Sequence, residues 1–340
     1  MRLVRREFLS ATAAAGLATG LGIGCKSAAK DVVAYTSVDQ PFSDPVFKGF
    51  EAKVGVRVRG VFDTEETKST GVLNRLIAEA GAPQADVFWS GDPVRPLLLA
   101  KRGLIERYTS PAAADLPAAF KAADGSWTGF AARARVLLVN KNRLAGIEAP
   151  SSIRDLAASR FKGQVALANP IFGTTTMHVA ALSVAWGEDK TRAFLDEVRA
   201  NGAKVASSNG EVKRLVATGE VTFGLTDTDD AHEALEAGAP VEVVYPDQDA
   251  LGTMVMPTSV VLIKGGPHPE AGRQLVDYLV SAPVEQKMAE AAAHMPLRPA
   301  VPTPAGVRSV SGLRAMHIDY AQVADAMERI QPWLRAWSGL

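Results

Sequence analysis

Short apolar runs alternate with amphipathic stretches along almost the whole chain, and the spacing of the two defines the expected elements. Val32–Thr36 reads as a strand and Phe42–Lys53 as a helix. Val56–Phe62 is a second strand, followed by a helix over Lys68–Glu79. Asp86–Ser90 is a third strand, and Pro93–Lys101 a helix that Gly103 stops. This βαβαβα rhythm predicts a parallel sheet with helices on both faces. Beyond the loop around Trp127, Val136–Val139 is a strongly apolar strand. A second series follows: Ser152 with Asp155 forms a capping-box start for a short helix, and Gln164–Ala168 is a strand. Helices are predicted over Thr174–Trp186 and Lys190–Asn201, and a third runs from Ser208 with Glu211 through Ala217. Thr222–Leu225 is a strand leading into a helix over Asp229–Ala237, closed by Gly238. Val241–Tyr245 and Thr258–Ile263 are the last strands. Three helices finish the chain, over Pro269–Ser281, Pro283–Ala293 and Tyr320–Trp337, with a proline-rich link at Pro296–Pro304.

The first thirty residues break this rhythm. Arg5-Arg6-Glu7-Phe8-Leu9 precedes an Ala/Gly-rich apolar run that ends at Gly22-Ile23-Gly24-Cys25. A charged start, a short apolar middle and small residues before a cleavage point describe an export leader, here of twin-arginine type. Leu9–Ile23 is shorter than the ~20 apolar residues a membrane-spanning helix needs. Cys25, the single cysteine, stands where a lipoprotein carries its lipid; simple cleavage over Cys25–Ala29 is the other reading.

Composition narrows the function classes. The chain has 340 residues, 47% apolar and 22% charged, which suits about two globular domains. Lys plus Arg and Asp plus Glu both number 37, so no basic field exists to hold nucleic acid or a membrane surface. Losing the leader with Arg2, Arg5, Arg6 and Glu7 shifts the balance by two charges to the acidic side. One cysteine excludes a disulfide framework and a cysteine-based zinc site, and five histidines leave little for a histidine-rich metal centre.

Several phrases, in their order and spacing, resemble the solute-binding proteins of ABC importers, in particular the ferric-ion-binding branch. They are ADVFWSGDP (Ala85–Pro93), ARARVLLVN (Ala132–Asn140), ANPIFGTTTMH (Ala168–His178), SNGEVKRLVATGEVTFGLTD (Ser208–Asp227) and PTSVVLIKG (Pro257–Gly265). The resemblance implies a type II periplasmic-binding-protein fold, an α/β architecture of two lobes, each a mixed, mainly parallel sheet with helices on both faces. It places lobe one at residues 31–133 plus 257–308 and lobe two at residues 134–256. Residues 309–340 would pack on the lobes as a C-terminal helix, and residues 1–30 are the leader. The hinge would lie in Arg133–Val139 and Met256–Val261, with the solute held between the lobes. An ABC permease with its ATPase would be the partner, and the receptor would be a monomer in the periplasm or at the outer face of the cytoplasmic membrane.

In ferric-binding relatives a ligand after the first strand, a carboxylate after the third and two adjacent tyrosines hold the iron. Here these positions fall at Asp39, at Gly91 beside Asp92, and at Asp229-Asp230. Asp39, Asp92, Asp227, Asp229 and Asp230 all sit at predicted strand-to-helix turns. Two carboxylates ~4 Å apart repel by roughly 4 kcal/mol at an effective dielectric near 20, so gathering them calls for a cation or a proton. Such oxygen ligands suit hard cations, Fe, Ca or Mn; the alternative is that Asp229 and Asp230 cap the helix they open. Gly173-Thr174-Thr175-Thr176 opens a helix at a strand end, where exposed N–H groups and hydroxyls attract an anion. Relatives hold a synergistic anion, or a ligand's phosphate or phosphonate, at this place. Arg135, and with it Arg133, would grip the same anion from the lobe crossing or serve an interlobe salt bridge. Trp89 would stack on an organic ligand or belong to the core; His178 is read as packing, and Met254 and Met256 as core or cleft lining.

Two ligand classes follow: a metal ion, with or without an anion, and an organic phosphate, phosphonate or other small anion. An exported hydrolase and a periplasmic sensor are the competing functions. G-x-S-x-G, H-E-x-x-H, P-loop and G-x-G-x-x-G signatures are absent from the sequence, which speaks against an enzyme.

Overall fold

Thirteen consecutive buried residues make the strand on which this molecule turns, Thr128–Asn140. The computed structural model describes residues 31–63 and 70–339; the leader, Cys25 and the first two residues of the helix expected over Lys68–Glu79 lie outside them. The first series comprises β1 (Asp31–Thr36), α1 (Gln40–Val54), β2 (Arg57–Phe62), α2 (Thr70–Ala78), β3 (Val87–Ser90), α3 (Val94–Lys101) and β4 (Ile105–Glu106). β5 (Thr128–Asn140) follows, then α4 (Lys141–Leu144), β6 (Val165–Ala168), α5 (Gly173–Trp186), α6 (Glu188–Ala200) and β7 (Lys204–Ala206). The chain goes on through α7 (Asn209–Ala217), β8 (Phe223–Asp227), α8 (Thr228–Glu236), β9 (Val241–Val244) and β10 (Val255–Ile263). It ends with α9 (Pro269–Leu279), α10 (Ala282–Ala292) and α11 (Tyr320–Ser338).

Two lobes share β5. In the first, β2, β1 and β3 run parallel, and β10 lies antiparallel between β3 and the first half of β5. In the second, the other half of β5 pairs antiparallel with β8 on one side and β9 on the other, and β6 and β7 continue parallel to β8. The expected parallel βα runs are therefore present, but the two long strands that join them are antiparallel to their neighbours. Both extend further than the apolar runs Val136–Val139 and Thr258–Ile263 suggest, because β5 buries Arg133 and Arg135, and β10 starts among methionines and a proline. The capping box at Ser152 is present, with Asp155 accepting from the Ser152 N–H at 3.0 Å, yet it opens a 3-10 turn over Ile153–Ala157 rather than an α-helix.

Where β5 and β10 cross, the register jumps: Pro257 pairs with Ala132 but Thr258 with Phe130, leaving Ala131 as a bulge with φ of 47°. Pro257 has no N–H for a ladder bond, which is tolerated at such a bulge. The Ala131 N–H finds a partner outside the sheet, donating to Glu285 of α10 at 3.2 Å. Ala132 exchanges two backbone bonds with Met295 at 2.8 and 2.7 Å, so a third segment is tied to the crossing.

Candidate functional site

The C-terminal ends of β1, β6, β7 and β8 open into one narrow cleft between the lobes. Ser37 follows β1; Asn169 and Phe172 lie between β6 and α5; Ser207, Ser208 and Asn209 join β7 to α7; and Asp227 ends β8. Gly173, Thr174 and Thr175, the first turn of α5, form one wall, and Arg133 of β5 reaches in from the crossing. Ligands of open α/β sheets gather at such strand ends, where helix N-termini leave N–H groups unspent. α5 has no side-chain cap, and Gly173 at its start has φ of 57°, a conformation glycine adopts without strain.

The site centres on Asp227, 1% exposed. Its carboxylate receives Arg135 Nη1 at 2.6 Å, Thr174 Oγ1 at 2.8 Å, Asn209 Nδ2 at 3.1 Å and Arg133 Nη1 at 3.3 Å. Arg135 also donates to Thr174 Oγ1, Thr175 Oγ1 and Asn209 Oδ1, each at 3.1 Å. Arg133 Nη1 donates to Asp229 at 2.9 Å. Burial opposes a charge on Arg133, but Asp229, Asp227 and Asp39 outweigh it and hold its pKa far above the usual value. Asp230 accepts from Thr226 Oγ1 at 3.1 Å and has Lys213 Nζ at 3.6 Å. Ligand oxygens of Asp227, Asp229 and Asp230 lie within 4.8 Å of one another. The repulsion inherent in gathering them is thus offset by three cations of the chain itself: Arg133, Arg135 and Lys213.

The expected site residues divide. Gly173, Thr174, Thr175, Arg135, Asp227, Asp229 and Asp230 come together in one network. Asp39 stands at the N-terminus of α1, close enough to Arg133 to act on its charge. Asp92 and Trp89 are each 0% exposed and do not line the cleft. Asp92 is ion-paired with Arg95 and accepts from the backbone N–H groups of Val94 and Arg95 at 2.9 and 3.1 Å. Trp89 packs between Phe47 and Phe130, with ring centroids at 5.7 and 5.6 Å. His178 is buried, and burial together with the Arg135 charge pushes its pKa down to about 3. Met254 and Met256 are core. Nothing in the sequence marks Asn209 or the serines at positions 37, 207 and 208 for binding; the Ser208–Glu211 cap that predicts α7 marks the same helix end without showing that it faces α5.

Two sheets sharing a crossing strand, with a polar cleft at their strand ends, define a two-lobe solute-binding protein of periplasmic type II architecture. The chain belongs to the bacterial extracellular solute-binding protein family, whose model matches residues 82–323. Iron uptake protein A1 of Synechocystis is 27% identical over 290 residues, covering 82% of this chain and 79% of that one. A Salmonella typhi protein whose name assigns it 2-aminoethylphosphonate binding in the periplasm is 25% identical over 296 residues, covering 86% and 81%. Among solved structures, the apo ferric ion-binding protein A of Pasteurella haemolytica superposes with a TM-score of 0.81 at 22% identity, covering 92% of this chain and 98% of that one.

Proposed function

We propose that this chain is the receptor of an ABC importer, capturing between its lobes a solute that brings charges of both signs and passing it unreacted to a membrane permease. The observation that carries this is the adjacency of an uncapped helix N-terminus, lined with hydroxyls, and three carboxylates within 4.8 Å of one another. The first wants an anion and the second a cation. In the first reading the solute is a hard cation, iron above all, carried with a synergistic anion. The anion would rest on Gly173–Thr175 with Arg135 behind it, and the cation on Asp227, Asp229 and Asp230, with Asp39 approaching from lobe one. The iron-uptake relative supports this reading. A second reading is favoured by Arg133 and Arg135, which already pair with Asp227 and Asp229, and by a cleft wall without a tyrosine among its described residues. Here one small molecule carries both charges, a phosphonate or phosphate at α5 and an amine at the carboxylates, as the name of the Salmonella relative suggests.

The lobes would hinge where β5 and β10 cross, with boundaries near residues 133 and 256. Export through the twin-arginine leader, with a lipid on Cys25, would hold a monomeric receptor at the outer face of the cytoplasmic membrane. Calorimetric titration with ferric citrate, inorganic phosphate and 2-aminoethylphosphonate separates the readings. A solute at a hundredfold excess over its Kd also adds about 2.7 kcal/mol of stability, visible as a thermal shift. Asp229→Ala with Asp230→Ala is expected to abolish binding of the ferric probe or of the amine-bearing probe while the fold persists. Binding of none of the three probes would overturn the proposed solute class.

A further inference from the structure

Arg95 lies in lobe one, yet its side chain holds on to lobe two. It is 1% exposed, and its guanidinium has two arms in use: Nη1 pairs with Asp92, and Nη2 donates to the Gly173 carbonyl of α5 at 3.1 Å. The mount on the lobe-one side is rigid. The Asp92 carboxylate accepts from the N–H groups of Val94 and Arg95, and the Asp92 carbonyl accepts from Ser259 Oγ of β10 at 2.7 Å. The gripped residue is the first of the turn that lines the cleft. Arg133 makes a comparable bridge from the crossing strand, with Nη2 on the Gly91 carbonyl of lobe one at 3.0 Å and Nη1 on Asp229.

We propose that Arg95 is a positioning residue that latches the lobes together through Gly173, so that the closed arrangement is held by contacts of the chain itself before any solute arrives. A fork of fixed geometry suits this task, since one arm is anchored while the other spans the junction. A solute then meets a receptor that opens to admit it, and the latch sets how much of the population is open at any moment. The inference does not depend on which solute binds.

The test therefore uses the solute-free protein. Spin labels are placed at Ala52→Cys on α1 and Lys190→Cys on α6, both exposed, in a chain carrying Cys25→Ser, and the interlobe distance distribution is measured by double electron–electron resonance. The parent should show mainly one short distance. Arg95→Met combined with Asp92→Asn removes both charges together, leaving no uncompensated charge in the core, and should raise the long-distance population at least fivefold with the cooperative melt retained. Should that double variant not fold, Arg95→Lys carries the test: it keeps a charge opposite Asp92 but loses the second arm, and a rise of the same sign is expected. A parent that is already predominantly open, or a distribution unchanged in the folded variant, would overturn the latch. Neither result bears on the titrations above, so the two proposals fail separately.

Discussion

Arg133 and Arg135 stand two positions apart on β5, so they share one face of the strand, and that face is the cleft. Burying two guanidinium groups is costly unless each is paired and hydrogen-bonded, and Asp227 and Asp229 do both. The arginines and the aspartates are each legible in the sequence, as ARAR and TDTDD; their mutual neutralisation is not, since they are about ninety residues apart in the chain. The same field fixes the histidines nearby. His178 is held at about 3 by burial and then by Arg135, and His294 at about 4 by burial and then by Arg133, against an ordinary 6.5. Both are neutral when folded, whereas the unfolded chain binds protons below pH 6.5. Stability is therefore expected to fall as pH drops from about 6.5 towards 4, by about 1.4 kcal/mol per pH unit for each histidine. Below pH 4 only His178 still contributes, down to about pH 3. His178→Met should flatten the slope by one such increment in urea melts across that range; an unaltered slope would mean that the ring is protonated in the fold.

At the scale of elements, the helices were readable because their caps and stops are local: Ser208 does accept from the Glu211 N–H at 3.1 Å, and Gly238 follows α8 with φ of 73°. The strands β4 and β7, two and three residues long, were not predicted, since so short a stretch carries no period of its own and forms only because a neighbour offers a ladder. β8 shows how closely the layers fit. A Cβ built on Gly224 would collide with Val212 Cγ1 of α7 and lie 3.1 Å from the Ala166 carbonyl of β6. Gly224→Ala should therefore push α7 off the sheet and cost about 1–3 kcal/mol, read from the shift of the denaturation midpoint at constant slope. A change below about 0.5 kcal/mol would show that α7 can move away freely.

For the molecule as a whole, the last helix, α11, packs on both lobes, against α3 of the first and α5 of the second. Lys101 and Arg102, at the end of α3 in lobe one, pair with its Asp325 and Glu328. On the other side, Arg329 pairs with Glu188 of α6, Arg192 lies over Trp333, and Arg199 lies over Trp337 at 4.0 Å. These ion pairs are exposed and worth little singly; the apolar stripe beneath, Val323, Met327, Ile330 and Leu334, supplies most of the attachment. Ending the chain at Ser309 should strip the cover from α3 and α5 and abolish a single cooperative melt, detectable by calorimetry together with dye binding to exposed apolar surface. A shortened protein that still melts in one sharp step would show α11 to be dispensable.

The amino-acid sequence by itself determined the βα alternation, the helix ends, the glycine–threonine turn that opens α5 and the acidic run at the end of β8. All of these are set by neighbours a few residues apart, through periodicity, capping and turn chemistry. Only the tertiary structure decided that β5 runs far beyond Val136–Val139, that Asp227 and Asp229 turn to the arginines of β5, and that Asn209 completes the network. Those outcomes depend on which distant groups meet across a crossing and a cleft. The buried charges of β5 and β8 take the partners that folding brings within reach, and nothing in their local sequence says which ones those are.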